Sequence, residues 1–120
     1  MGLHFKAGVD LRHLSTQALV AWLVATEVYE EAGYRCWLTS AYRSGTRDQV
    51  LLHGEGEAID LGLRDDAGRL LPADVIDLIV AKLELRLGRR GGGQFDVVDE
   101  RHAPGGPHLH IEFDPKETTA

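Results

Sequence analysis

A chain of 120 residues, 43% hydrophobic and 27% charged, has the makeup of one soluble globular domain spanning 1–120, large enough for a modest core. Its formal net charge of -6 and scattered Lys and Arg exclude a general nucleic-acid binder, which needs clustered cations to neutralise phosphates. No apolar stretch approaches the length of a membrane-spanning helix, so no membrane partner is expected. The single Cys36 has no partner for an internal disulfide; in the strand-like run "YRCWLTS" it reads as a buried, inert thiol. The start, "MGLHFKAGVD", lacks the apolar core of a secretory signal, so the expected place of synthesis is the cytoplasm.

In chain order, a first helix is expected over 15–31, with Leu19, Trp22, Leu23 and Thr26 on one face and Gly33 as its stop. A strand over 35–40 follows, supported by the β-favouring Trp37 and Thr39, and then "SAYRSGTRDQ" as a loop with Gly45 at a turn. A second strand covers 58–63. After the polar turn "RDDAGR", Pro72 opens a second helix in which Ile76, Ile79, Val80, Leu83 and Leu87 recur at helical spacing up to Gly88. The cations of "RLGRR" complement that helix's C-terminal dipole, and "RRGGGQ" is a flexible loop. Two short strands close the chain, "FDVVDE" and "HLHIEFD", joined by "RHAPGGP", whose prolines and glycines cannot continue a ladder. Helices and strands without regular alternation point to an α+β fold, the helices packed on one face of a small, mainly antiparallel sheet.

Strand alternation then locates a polar site. In "HLHIEF", Leu109, Ile111 and Phe113 point to the core while His108, His110 and Glu112 share the opposite face. In "AIDLGL", Ile59, Leu61 and Leu63 face inward, which leaves Asp60 on the other surface between Ala58 and Gly62. His53 lies just before this strand, and Gly54 and Gly56 let the backbone turn so that its imidazole approaches Asp60. Two imidazoles and one carboxylate from separate elements make a three-ligand set, the pattern of catalytic zinc with an open fourth position.

These residues carry a resemblance. His53, Gly56, Ala58 and Asp60 match the HxxGxAxD signature of the zinc D-Ala-D-Ala carboxypeptidases, dipeptidases and L-alanyl-D-glutamate endopeptidases, whose fold is shared by the hedgehog signalling domain; Glu55 matches the HxEGxAxD version of the hedgehog proteins. "HLH" resembles the family's second signature, HxH, and "TSAYRS" resembles its "SGYRS" element. The resemblance runs from about "FKAGVD" to "EFDPK" and is nearest to short members encoded by bacteriophages and prophages. It implies one zinc ion held by His53, Asp60 and His110, with His108 beside it as a transition-state or substrate contact. It implies that Arg43 binds the substrate's carboxylate, and that an acidic residue before the last strand is the general base. Glu100 matches that position best, ten residues before His110, a longer separation than the family's, and Asp99 is the alternative on the opposite strand face. Leu51 departs from the family's serine two residues before the first ligand.

The chemistry such a set supports is amide hydrolysis, in which a carboxylate takes a proton from water and returns it to the leaving amine. A guanidinium at Arg43 suits a substrate ending in a carboxylate, and peptidoglycan stem peptides supply such groups. The expected activity is therefore that of a carboxypeptidase or endopeptidase, in a monomer that meets the cell wall after release or as a virion component. The alternative is a non-catalytic binding module that keeps zinc for structure. His4, His13 and His102 read as surface residues, and Glu55, Glu57 and Glu112 as solvent-facing. The "GEG" glycines lack the following Lys-Ser/Thr of a phosphate loop.

Overall fold

The computed structural model describes residues 2–12, 14–42, 58–91 and 95–113. Within them the chain runs β1 (His4–Phe5), α1 (Thr16–Glu31), β2 (Trp37–Tyr42), β3 (Ala58–Gly62), α2 (Ala73–Gly91), β4 (Phe95–Glu100) and β5 (His108–Phe113). The architecture is α+β: two helices and a five-stranded mixed sheet of order β1-β2-β3-β5-β4. All pairings are antiparallel except β1 with β2, which is parallel. The two-residue β1 has no sequence signal, because a strand so short shows no alternation.

Local chemistry accounts for most of the boundaries. The Ser15 hydroxyl accepts from the Ala18 N–H at 3.0 Å and caps α1 at its N-terminus. Gly33, at φ +91°, takes the left-handed conformation that ends the helix, its N–H bonding the Glu30 carbonyl. The inward face of α1 differs from the expectation. Trp22 and Thr26 of the expected face are buried, but Leu19 and Leu23 are 40% and 38% exposed, and Ala18, Ala21, Ala25, Val28 and Tyr29 are buried instead. Apolar residues occupy almost every position of "ALVAWLVA", so their spacing alone selects no face.

β2 lies later than expected: Ala41 and Tyr42, read as loop, pair with Ile59 and Ala58. The turn assigned to Gly45 lies outside the described residues. Pro72 immediately precedes α2, where its carbonyl accepts from the Val75 and Ile76 N–H groups. The second helix runs past Gly88 to Gly91, so three residues expected in a loop are helical. Gly88 is not among the glycines at positive φ, and a single helical glycine costs only about 1 kcal/mol. Arg86, expected to complement the helix dipole, reaches instead to Glu27 and Glu31 of α1, at 3.1 Å and 2.6 Å.

Ile76, Ile79, Leu83 and Leu87 of α2 are fully buried and join the α1 face against Leu38, Ile59, Leu61, Leu109 and Ile111 of the sheet. Cys36 belongs to this core, where burial pushes its thiol up to about 12, in keeping with an inert role. No described helix is long and apolar enough to cross a membrane.

Candidate active site

The sheet face away from the core assembles an acid–imidazole cluster by register. Asp60 on β3 stands opposite His110 on β5 and Ser40 on β2. One step along, Gly62 faces His108, and His108 faces Glu100 on β4. The inner strand β3 is held from both sides: the Thr39 hydroxyl donates to the Asp60 carbonyl at 3.3 Å, and the Tyr29 hydroxyl of α1 donates to the Gly62 carbonyl at 2.9 Å. A register shift between Leu38 and Ser40 interrupts the β2–β3 ladder beside the cluster.

Asp60 and His110 are only 6% and 8% exposed, so each needs partners to offset lost hydration. His110 Nδ1 lies 2.8 Å from Asp60 Oδ1, and its Nε2 lies 3.2 Å from Glu112 Oε1. Both ring nitrogens thus meet carboxylates. The Asp60 hydrogen bond raises the His110 pKa most; burial opposes it and Glu112 adds to it. His108 is fixed separately. Its Nδ1–H donates to the Gly106 carbonyl at 2.9 Å, and its Nε2 lies 2.6 Å from Glu100 Oε1. The second Asp60 oxygen lies 3.9 Å from His108 Nε2, which links the two pairs.

Asp99 stands on the other face, opposite Leu109. Arg101 binds its carboxylate and also reaches Asp77 of α2, and hydrogen bonding from Arg101 lowers the Asp99 pKa. The structure therefore places Glu100, and not Asp99, beside His108. The "RHAPGGP" segment folds into successive turns, Ala103 N–H to Glu100 carbonyl and Gly106 N–H to Ala103 carbonyl, with Gly106 at φ +114°. These turns close the β4–β5 hairpin and bring Glu100 level with His108 in spite of the long connection.

Asp60, His108, His110 and Glu100 come together, whereas His53, Arg43, His13, Glu55 and Glu57 lie outside the described residues. His102 is exposed, and His4 packs against the Trp37 ring at 5.3 Å, away from the cluster. Glu112, read as solvent-facing, is half exposed and yet bonds His110. Its signal was its position two residues from His110 on one strand face.

Among the described residues no group of three His, Cys, Asp or Glu side chains is placed to hold a metal. Two of the three implied ligands, Asp60 and His110, nevertheless converge with the donor types zinc prefers. Glu112 stands at the far nitrogen of His110, where a metal-binding imidazole usually keeps a carboxylate. The donor chemistry fits zinc. Comparison of the chain with protein-family models, curated proteins and solved structures gives no match.

Proposed function

We propose that this chain is a zinc-dependent peptidase of the hedgehog-like metallopeptidase fold that hydrolyses amide bonds in peptidoglycan stem peptides. The observation that carries the reading is the Glu100–His108 pair set beside the buried Asp60–His110 pair on one sheet face. Asp60 and His110, with His53 from outside the described residues, are the proposed zinc ligands. Bound zinc would supply a polarised scissile carbonyl and a water more acidic than bulk water.

The protein groups do the proton work. Glu100 takes a proton from the attacking water as the new C–O bond forms, then delivers it to the nitrogen as the C–N bond breaks. His108, anchored through Nδ1 on the Gly106 carbonyl, positions Glu100 through the contact at its Nε2 and stands beside the reacting centre as a transition-state or substrate contact. Glu112 keeps the His110 ring oriented from its far side. Arg43 is proposed to hold the carboxylate of the substrate.

The decisive test is digestion of purified peptidoglycan by the zinc-loaded protein, with mass analysis of the released peptides. New amine and carboxyl ends at one defined bond support the reading. Intact peptides from a zinc-binding, folded protein would replace it with the non-catalytic binding module.

A further inference from the structure

The polar face does not end at His108. Gly62 lies next to it in the β3–β5 register and contributes no side chain, so the space above the sheet stays open there. A Cβ at this position would stand 3.4 Å from Thr39 Cγ2 and 4.0 Å from Trp37 Cβ. A groove of about 720 Å³ runs from Asp60, Glu100 and His108 over Gly62 to Trp37, Lys6 and Arg64, with the 103–107 turns as one wall. That volume is in the range of ligand pockets, about 300–1,000 Å³, and exceeds what two reacting residues need.

The two ends differ in charge. Around Asp60 the groove is carboxylate and imidazole; beyond Gly62 it offers the half-buried Trp37 ring and two cations, with Asp65, among the described residues, as the one acid of that end. Arg12, Arg35, Lys82, Arg86 and Arg101 each meet a carboxylate. Among the described residues Lys6 and Arg64 meet none, although the chain carries an excess of acids. Arg64 donates only to the Gly68 carbonyl, at 3.0 Å. Asp65, the acid nearest in sequence, is engaged by the Ala67 and Arg69 N–H groups at 2.9 Å each. Exposed arginine elsewhere in the groove-free surface, Arg69, also lacks an acid, so the lack of a partner matters here because both side chains line one cavity with an aromatic ring.

We infer that the groove beyond Gly62 is a subsite for an anionic part of an extended peptide substrate, with Lys6 and Arg64 meeting its carboxylate and Trp37 covering its apolar portion. The inference rests on the peptidase reading only for the bond cut at the Asp60 end. It makes the substrate an acidic peptide several residues long, since a free dipeptide at the Asp60 end would leave the cations without a ligand.

The test uses two synthetic stem pentapeptides that differ at one glutamate α-carboxyl, free in one and amidated in the other. Binding to the zinc-treated protein is measured by calorimetry, and cleavage by mass. The free carboxylate should bind about twofold to fivefold more tightly for each cation it meets. That preference should shrink with added salt and fall towards one in Lys6→Gln/Arg64→Gln. Gly62→Leu, which fills the groove floor, should weaken both peptides on the order of tenfold; its unfolding midpoint shows whether it has folded, and the charge variants decide if it has not. Equal affinities in the parent, or a preference that survives in the charge variant, overturn the subsite, and the cleavage products still judge the peptidase reading separately. Charge-dependent binding without cleavage keeps the subsite and removes that reading. Absence of binding overturns the subsite whatever the cleavage result.

Discussion

On the helix side of β3 and β5, Ile59, Leu61, Leu109 and Ile111 are at most 1% exposed and belong to the apolar core. On the other side of the same strands Asp60 and His110 are nearly as buried, at 6% and 8%, yet they reach that state through hydrogen bonds to each other and to Glu112. Burial on the first side stabilises in proportion to apolar area and tolerates exchange of similar side chains. Burial on the second depends on each polar group keeping its partner, because removing one leaves the other desolvated and unpaired. The sheet thus separates an apolar core from a buried polar cluster across one layer of backbone.

The strongest way to break that separation is to disturb the core side. Leu61→Ala should lower the unfolding free energy by about 2–5 kcal/mol in urea titrations, through lost burial and a residual cavity. Turnover per folded molecule should change little. A large loss of turnover at full stability would show that the two faces are coupled.

Substitution on the polar side should do the reverse. Glu100→Gln should keep the parent's unfolding midpoint and zinc content but lose on the order of a hundredfold or more in cleavage rate. Asp99→Asn, which breaks only the Arg101 link on the helix side, should cost at most about 1 kcal/mol of stability and leave the rate near the parent's. Full activity in Glu100→Gln would remove that carboxylate from the mechanism.

Glu112→Gln sharpens the contrast within the polar face. Its loss removes the carboxylate from the far nitrogen of His110, and zinc affinity measured against a chelator should fall by about tenfold to a hundredfold. Unchanged affinity would make Glu112 a surface acid that meets His110 by proximity alone.

The smallest effect belongs to the seam between the helices. Hydrogen bonding first from Arg86 and then from Lys82 lowers the Glu31 pKa to about 2. A depressed carboxylate stabilises the fold above its unfolded value near 4.5 and loses that contribution as pH falls towards 2. Arg86→Ala should therefore flatten the fall in stability across this window, and high salt should do so in the parent. An identical pH slope in both proteins would show that the seam contributes nothing measurable.

The sequence by itself determined the elements whose pattern is local. The alternation of "HLHIEF" and "AIDLGL" put His108, His110 and Asp60 on the face away from the core. The recurrence of Ile76, Ile79, Leu83 and Leu87 marked the buried stripe of α2, and Ser15 marked the start of α1. These follow from backbone geometry of period two or 3.6, which any stretch of chain carries within itself. Tertiary structure alone decided what depends on a second segment. The inward face of α1 was set by docking, since its run of apolar residues offered several equivalent stripes. β1 exists because β2 supplies its hydrogen bonds. Glu100, which the sequence already favoured over Asp99 and set on the opposite strand face, met His108 through the β4–β5 register, which no spacing along "RHAPGGP" specifies. The groove over Gly62 is likewise a property of distant segments together, since Lys6, Trp37, Arg64 and the 103–107 turns all line it.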